Sequence, residues 1–566
     1  MFLASWPSRR YLRPLRPLLP SFIADAVFPI SSTSSHRQTP HRSTAYLDGL
    51  RGIAAIIVFI HHYTDAFPSL NLPYTLLDPP PHQNQTNPTA PAHPYPPAGV
   101  VLPTRVIANT TTTSPINTQN PGPTVLQLPF FRLLHSGRPM VHIFFVISGF
   151  ALSYKPLRYL HREHNRHVAL DSLASTTFRR APRLLGPPIV STFLCAWLQQ
   201  AGLLPTPNGS VLAEMGAWWT TVWREITWPW AWDRDLAPGY DVHLWSIPVE
   251  LAHSMMLFVV LLALVRVRYV VRRVVVCGGM GYCLACGRWA GFEFLAGMGI
   301  AEGFARREVG EEKKMVAKEE EEGGLEDLEG WREVDRDNGS EVGLMNGAGG
   351  VEGKSVFGWK SVRMIRMLRR CGKRAVQIAV LIAGLFIAGW PKTEAARTPG
   401  IRTLLFWTPE PFASEMDDEQ APQKFWFALA AAGVVWAVGE LAWLRRVFET
   451  SVARYCGDIS FAVYFCHGPV SNLFGPAIMG YPATAEGEQG RGVRGVVGMD
   501  TPGRTVAAWF IGLFLLGPLV IWVADVFWRA VDRPTVNLAR RLETWCLEEE
   551  RRTRPVPESQ GYSVIA

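Results

Sequence analysis

The chain has 566 residues, 48% of them hydrophobic, with a formal net charge of +8. The positive mean hydropathy and the bunching of apolar residues into long runs argue against a soluble multidomain enzyme. The basic excess is sorted by loop, not spread over one surface, which argues for membrane topology and against nucleic-acid binding.

In chain order, residues 1–45 are a leader rich in Arg, Ser and Pro, with Asp25 as the single acidic residue. A basic cytosolic leader before a membrane span has this composition, and so does a mitochondrial transit peptide. Apolar windows follow near 49–67, 141–154, 184–200, 244–265, 270–286, 290–304, 375–391, 424–444, 459–474 and 505–527. They predict an all-α polytopic membrane helix bundle of about ten transmembrane helices.

Basic clusters alternate with these windows. Arg9, Arg10, Arg13 and Arg16 precede the first; Lys155, Arg158, Arg162, Arg166, Arg179, Arg180 and Arg183 separate the second from the third. Arg266, Arg268, Arg272 and Arg273 follow the fourth, Arg306 and Arg307 the sixth, Arg445 and Arg446 the eighth, and Arg540 and Arg541 the tenth. If the spans alternate, all of these lie on one side, which predicts a multi-pass protein of an endomembrane or the plasma membrane with both termini in the cytosol.

The stretch 68–129 is rich in Pro, Thr and Asn and is expected to be an extended lumenal loop. Its sequons begin at Asn84 and Asn109, and a third at Asn208 falls on the same side, where glycans are added. Residues 211–240 hold Trp218, Trp219, Trp223, Trp228, Trp230 and Trp232, a density that suits a helix lying in the headgroup layer or an aromatic sugar platform. Residues 308–374 mix acidic and basic runs with glycine and read as a disordered cytosolic insert, on which the sequon at Asn338 stays unmodified. The insert divides the membrane region into 46–307 and 375–527, and 528–566 is a cytosolic tail. Cys283 and Cys286 form a C-x-x-C in an apolar, glycine-rich stretch, where packing is the ordinary role; no metal site is expected.

Ionisable groups inside spans are costly and carry the functional reading. The first span starts with Asp48 and Arg51 and ends with His61 and His62. Arg51 and His62 are eleven residues apart, about three turns plus 20°, so they share one helix face about 16 Å apart. Snorkelling and interface anchoring account for such residues equally well. Further such groups recur: Ser148 beside Gly149, Arg180 and Arg183 three apart at the mouth of the third span, Glu250 with His253 in the fourth, and Tyr464 with His467 in the ninth. Small residues pack helices and mouth arginines anchor them; the same arginines suit phosphate. An Arg/His/Glu set of this kind also fits a membrane transporter or export partner.

Taken in order, R-x10-H at Arg51 and His62, Phe144-Phe-Val-Ile-Ser-Gly-Phe150, R-x-x-R at Arg180 and Arg183 followed by Pro187 and Pro188, the W-S-x-x-V-E of Trp245, Ser246 and Glu250, and Gly457-Asp-Ile-Ser-Phe with Tyr464 and His467 resemble the acyltransferase-3 family of integral membrane acyltransferases. The resemblance spans about 46–527 without the insert. It implies a ten-helix bundle that moves an acyl group, commonly acetyl, from cytosolic acyl-CoA to a hydroxyl of a carbohydrate, lipid or small-metabolite acceptor, with no permanently bound cofactor. It also implies that His62 is the catalytic base and that Arg51, Arg180 and Arg183 serve donor binding and activity. Imidazole has the pKa such a base needs, and arginines suit the CoA phosphates. Glu250 or another carboxylate is expected to orient the imidazole as the third member of a relay; Ser148, Trp245, Ser246 and His467 are substrate-binding or structural candidates. Where family members often carry an acidic residue before the Phe pair, this chain has His142.

Overall fold

The computed structural model describes residues 20–21, 43–74, 124–162, 166–204, 209–228, 238–337, 356–413, 420–479 and 505–553. Among them the regular structure is entirely helical. The principal helices are α1 (Ala45–Thr64), α2 (Arg138–Arg162), α3 (Arg166–Gln200), α4 (Ser246–Leu264), α5 (Tyr269–Ala285), α6 (Trp289–Asp337), α7 (Val356–Ala388), α8 (Ala421–Glu440), α9 (Ser451–Met479), α10 (Thr505–Phe527) and α11 (Arg533–Thr553).

Each apolar window of the sequence overlaps one of these helices. Among the described residues five segments are long and apolar enough to cross a membrane: Arg138–Arg162, Val242–Leu264, Cys371–Ala388, Ala421–Glu440 and Thr505–Leu547. The helices outside this set are diluted by polar residues and glycine; α1 alone carries Asp48, Arg51, His61 and His62 in twenty residues. Of those polar groups, Arg51 and His62 face the candidate site.

Glycine sets which helices touch. A Cβ added at Gly52 or Gly457 would run into the backbone of the facing helix, so α1 and α9 meet backbone to backbone. Gly149 and Gly297 do the same for α2 and α6. Around these two close pairs lie two apolar cores. One gathers α2, α6 and α8 with Phe145, Phe150, Phe294 and Val435; the other gathers α1, α9 and α10 with Phe59, Tyr63, Phe465 and Trp509. Phe144, Met255 and Tyr464 pack against both, and the candidate site lies along that seam.

Prolines inside helices leave carbonyls that other groups take up. Pro469 cannot donate to the Phe465 carbonyl, and the Ser191 hydroxyl of α3 stands 3.5 Å from that oxygen. His142 Nδ1 and Glu293 Oε1 are 2.5 Å apart, a buried pair that sets a carboxylate of α6 against α2.

Where the sequence suggested disorder, in 308–374, α6 continues as helix to Asp337 and α7 begins at Val356. Spacings such as Glu311 with Lys314 support a solvated helix, and Arg158 of α2 ion-pairs Glu308 and Glu312. Val211–Thr221 is a helix capped by the Ser210 side chain, with Trp219 and Trp223 exposed. The leader, most of the loop 68–129, the sequons at Asn84, Asn109, Asn208 and Asn338, and Trp230 and Trp232 lie outside the described residues.

Candidate active site

The residues singled out in the sequence come together in two groups along α1. At its start, the Arg51 guanidinium donates through Nε to Ser460 Oγ and through Nη2 to the Gly457 carbonyl, each at 3.0 Å. Asp48, one turn earlier, is 3.6 Å away. Arg180 of α3 donates through Nη2 to Glu250 Oε1 at 2.6 Å and through Nε to Ser254 Oγ at 3.0 Å. Ser148 of α2 donates to the same Glu250 oxygen at 2.8 Å. Arg183 lies within electrostatic reach of Arg180, Arg51, Asp532 and Glu250. Three guanidinium groups from two helices thus concentrate positive charge at one end of the seam, with one carboxylate holding Arg180 in place.

At the other end are imidazoles. The His62 ring lies 4.1 Å, centroid to centroid, from His243 and 5.3 Å from His467, and His243 and His467 are 4.6 Å apart. One ring nitrogen from each falls within 4.8 Å of the others. His61 is turned away and donates from Nδ1 to the His135 carbonyl at 2.9 Å. Adjacent residues on a helix are about 100° apart, which separates the two histidines as the periodicity requires.

Each ring of the cluster is oriented by a neighbour. His243 Nδ1–H donates to Asp241 Oδ1 at 2.6 Å, and the same oxygen caps the short helix Val242–Trp245 by accepting the His243 backbone N–H at 3.0 Å. His467 Nδ1–H donates to the Val463 carbonyl at 3.1 Å, one turn back on α9. Its buried Nε2 has no hydrogen-bond partner among the described residues. His62 Nδ1 stands 3.7 Å from Asp65 Oδ2, and Asp65 ion-pairs Lys392. The Tyr464 hydroxyl donates to the His243 carbonyl and lies 2.7 Å from Ser246 Oγ. Trp245 packs its ring edge-on to Trp289, 6.4 Å between centroids.

The two groups are joined by helix geometry. On α9, Ser460, Tyr464 and His467 fall at i, i+4 and i+7, one face of a helix. That face lies along the Arg51–His62 face of α1, with Arg51 beside Ser460 and His62 beside His467, so the two helices run in the same direction.

Glu250 sits differently from expectation. Its recorded bonds go to Arg180 and Ser148, at the arginine end; the carboxylates beside imidazoles are Asp241 and Asp65. The sequence reading missed Asp241 and His243. The signal was present in the D-x-H spacing, since an aspartate immediately before a helix start caps it by accepting the N–H two residues on. Ser148 and Gly149 divide the two roles weighed for them: Gly149 packs the helices and Ser148 bonds Glu250.

A chain with apolar helices, a cationic end and a buried imidazole end has the parts of a membrane-associated group-transfer enzyme. Comparison with known proteins agrees: residues 105–317 match the acyltransferase-domain model of the acyltransferase-3 family. The O-acetyltransferase PaAT-1 of Phomopsis amygdali is 27% identical over 97% of this chain and 92% of its own length. Acyltransferase R4 of a Phoma species is 25% identical over 89% of this chain and 96% of its own, and acyltransferase clz18 of Cochliobolus lunatus 24% over 80% and 88%. No solved structure matches. The resemblance to the acyltransferase-3 family therefore holds, and the chain is an enzyme that transfers acyl groups other than aminoacyl groups.

Proposed function

We propose that the protein is a membrane O-acyltransferase that moves an acyl group, acetyl in the first instance, from acyl-CoA to a hydroxyl of a carbohydrate, lipid or small metabolite. The membrane region 46–307 and 375–527 crosses the bilayer about ten times, with both termini cytosolic, and the cationic end of the seam faces the cytosol. Arg180, Arg183 and Arg51 draw in the CoA phosphates. The acyl-pantetheine arm lies along the α1–α9 seam, and the thioester reaches the imidazole end. There His62 takes the proton of the acceptor hydroxyl as its oxygen attacks the thioester carbon; the C–S bond breaks, and the departing sulfur recovers the proton.

One observation carries this reading: Arg51 and His62 both turn toward α9, meeting Gly457, Ser460 and His467. Groups that only anchored a helix in lipid headgroups would have no reason to line up against the same facing stripe. Acetyl transfer by the named O-acetyltransferase relative supports acetyl as the first donor to try.

The test is to supply purified full-length protein with labelled acetyl-CoA and an extract of hydroxylated metabolites. The proposal expects labelled ester and an equal amount of free CoA thiol. Movement of label across vesicles without ester formation would replace it with a transporter using the same Arg, His and Glu set.

A further inference from the structure

We propose that the base is completed by His243 and Asp241, forming an Asp241–His243–His62 relay in which His243 is the positioning residue for His62. This rests on the acyl-transfer reading above and gives to Asp241 the orienting role that the sequence assigned to Glu250.

The geometry separates the two carboxylates. Glu250 is committed to Arg180 at 2.6 Å and Ser148 at 2.8 Å. Asp241 is only 7% exposed, and its Oδ1 accepts both the ring Nδ1–H and the backbone N–H of His243. A carboxylate on Nδ1 fixes the tautomer, leaving the lone pair on His243 Nε2. Tyr464 grips the His243 carbonyl from α9, so ring and backbone are both held.

Gly468 shows how closely this pair is fitted. A Cβ there would stand 2.9 Å from His243 Nδ1 and 3.3 Å from Asp241 Oδ1. The absent side chain makes room for the pair beside α9.

When His62 takes the acceptor proton it becomes a cation in a low-dielectric seam, a few ångströms from two further imidazoles. The groups around it are Asp65 with its partner Lys392, His61, His243, His467, Tyr464 and Asp241, the last also within electrostatic reach of Cys195 and Cys466. Lys392 already offsets Asp65, whereas Asp241 has no ion-pair partner other than His243 among the described residues. The His62 and His243 rings meet edge to face, 4.1 Å between centroids, so a cation on His62 lies against a ring that Asp241 backs with negative charge. The proton stays on the imidazole pair until the CoA sulfur collects it, so no further reactant enters.

The three rings could also be read as ligands of a divalent cation. The rings of His62 and His467 are stacked at only 26°. A divalent cation held there would make activity sensitive to a chelator, an outcome the experiment includes.

The experiment measures free thiol released from acetyl-CoA by purified full-length protein in detergent, with water or the metabolite extract as acceptor. Asp241→Asn and His243→Ala should each lower kcat about ten- to a hundredfold with the KM for acetyl-CoA unchanged, because the donor arginines lie at the other end of the seam. Asp241→Glu should recover part of the rate, and added imidazole part of the His243→Ala loss. Wild-type kcat in Asp241→Asn, a rise in KM alone, or inhibition by a chelator that zinc reverses would each overturn the relay. If wild-type protein releases no thiol, the acyl-transfer reading itself fails; if His62→Ala is dead while Asp241→Asn is normal, only the relay does.

Discussion

Glu250 shows what a single side chain reveals and conceals. Its place within a span marks it as functional from sequence alone, but its partner could not be read there, because Arg180 and Ser148 arrive from two other helices. Glu250→Ala leaves the Arg180 guanidinium without its counter-charge and should cost about 3–5 kcal/mol of stability, measurable as earlier thermal unfolding in detergent. Ser148→Ala keeps the ion pair and removes one hydrogen bond, about 1 kcal/mol, so its effect should be visibly smaller. If the two variants unfold alike, Glu250 is held by something other than Arg180. Arg51 and His62 were legible because 3.6-residue periodicity fixes which residues share a face. Asp241 left only a capping signal, since it precedes the helix and acts through the ring two residues on.

At the scale of helices, each apolar window overlaps a helix, and five segments among the described residues are long and apolar enough to cross a membrane. Which helix lies against which was not legible: adjacency is decided by glycine pairs distant in sequence, Gly52 with Gly457 and Gly149 with Gly297. Gly52→Ala should therefore pry α1 from α9 at a cost of about 1–3 kcal/mol. Because it also displaces Arg51 from Ser460, it should raise the KM for acetyl-CoA. A Gly52→Ala protein with wild-type unfolding and kinetics would contradict the close contact. Gly468→Ala addresses the other end of the same pair, where the added methyl meets His243; it should depress kcat while leaving that KM alone.

For the whole molecule, the charge sorting predicts sidedness. Asn84 and Asn109 should carry glycans and Asn338 should not, which an endoglycosidase mobility shift on Asn→Gln variants reads directly; a glycan on Asn338 would invert the topology. The sidedness matters to the proposed function, which gives the two ends of the seam different work, donor entry at Arg180 and Arg183 and proton abstraction at His62. The most direct measurement is ester formation from labelled acetyl-CoA by purified His62→Ala protein beside wild type. The account predicts at least about a hundredfold loss of transfer with the protein still folded and still binding acetyl-CoA. Wild-type turnover without that imidazole would contradict it.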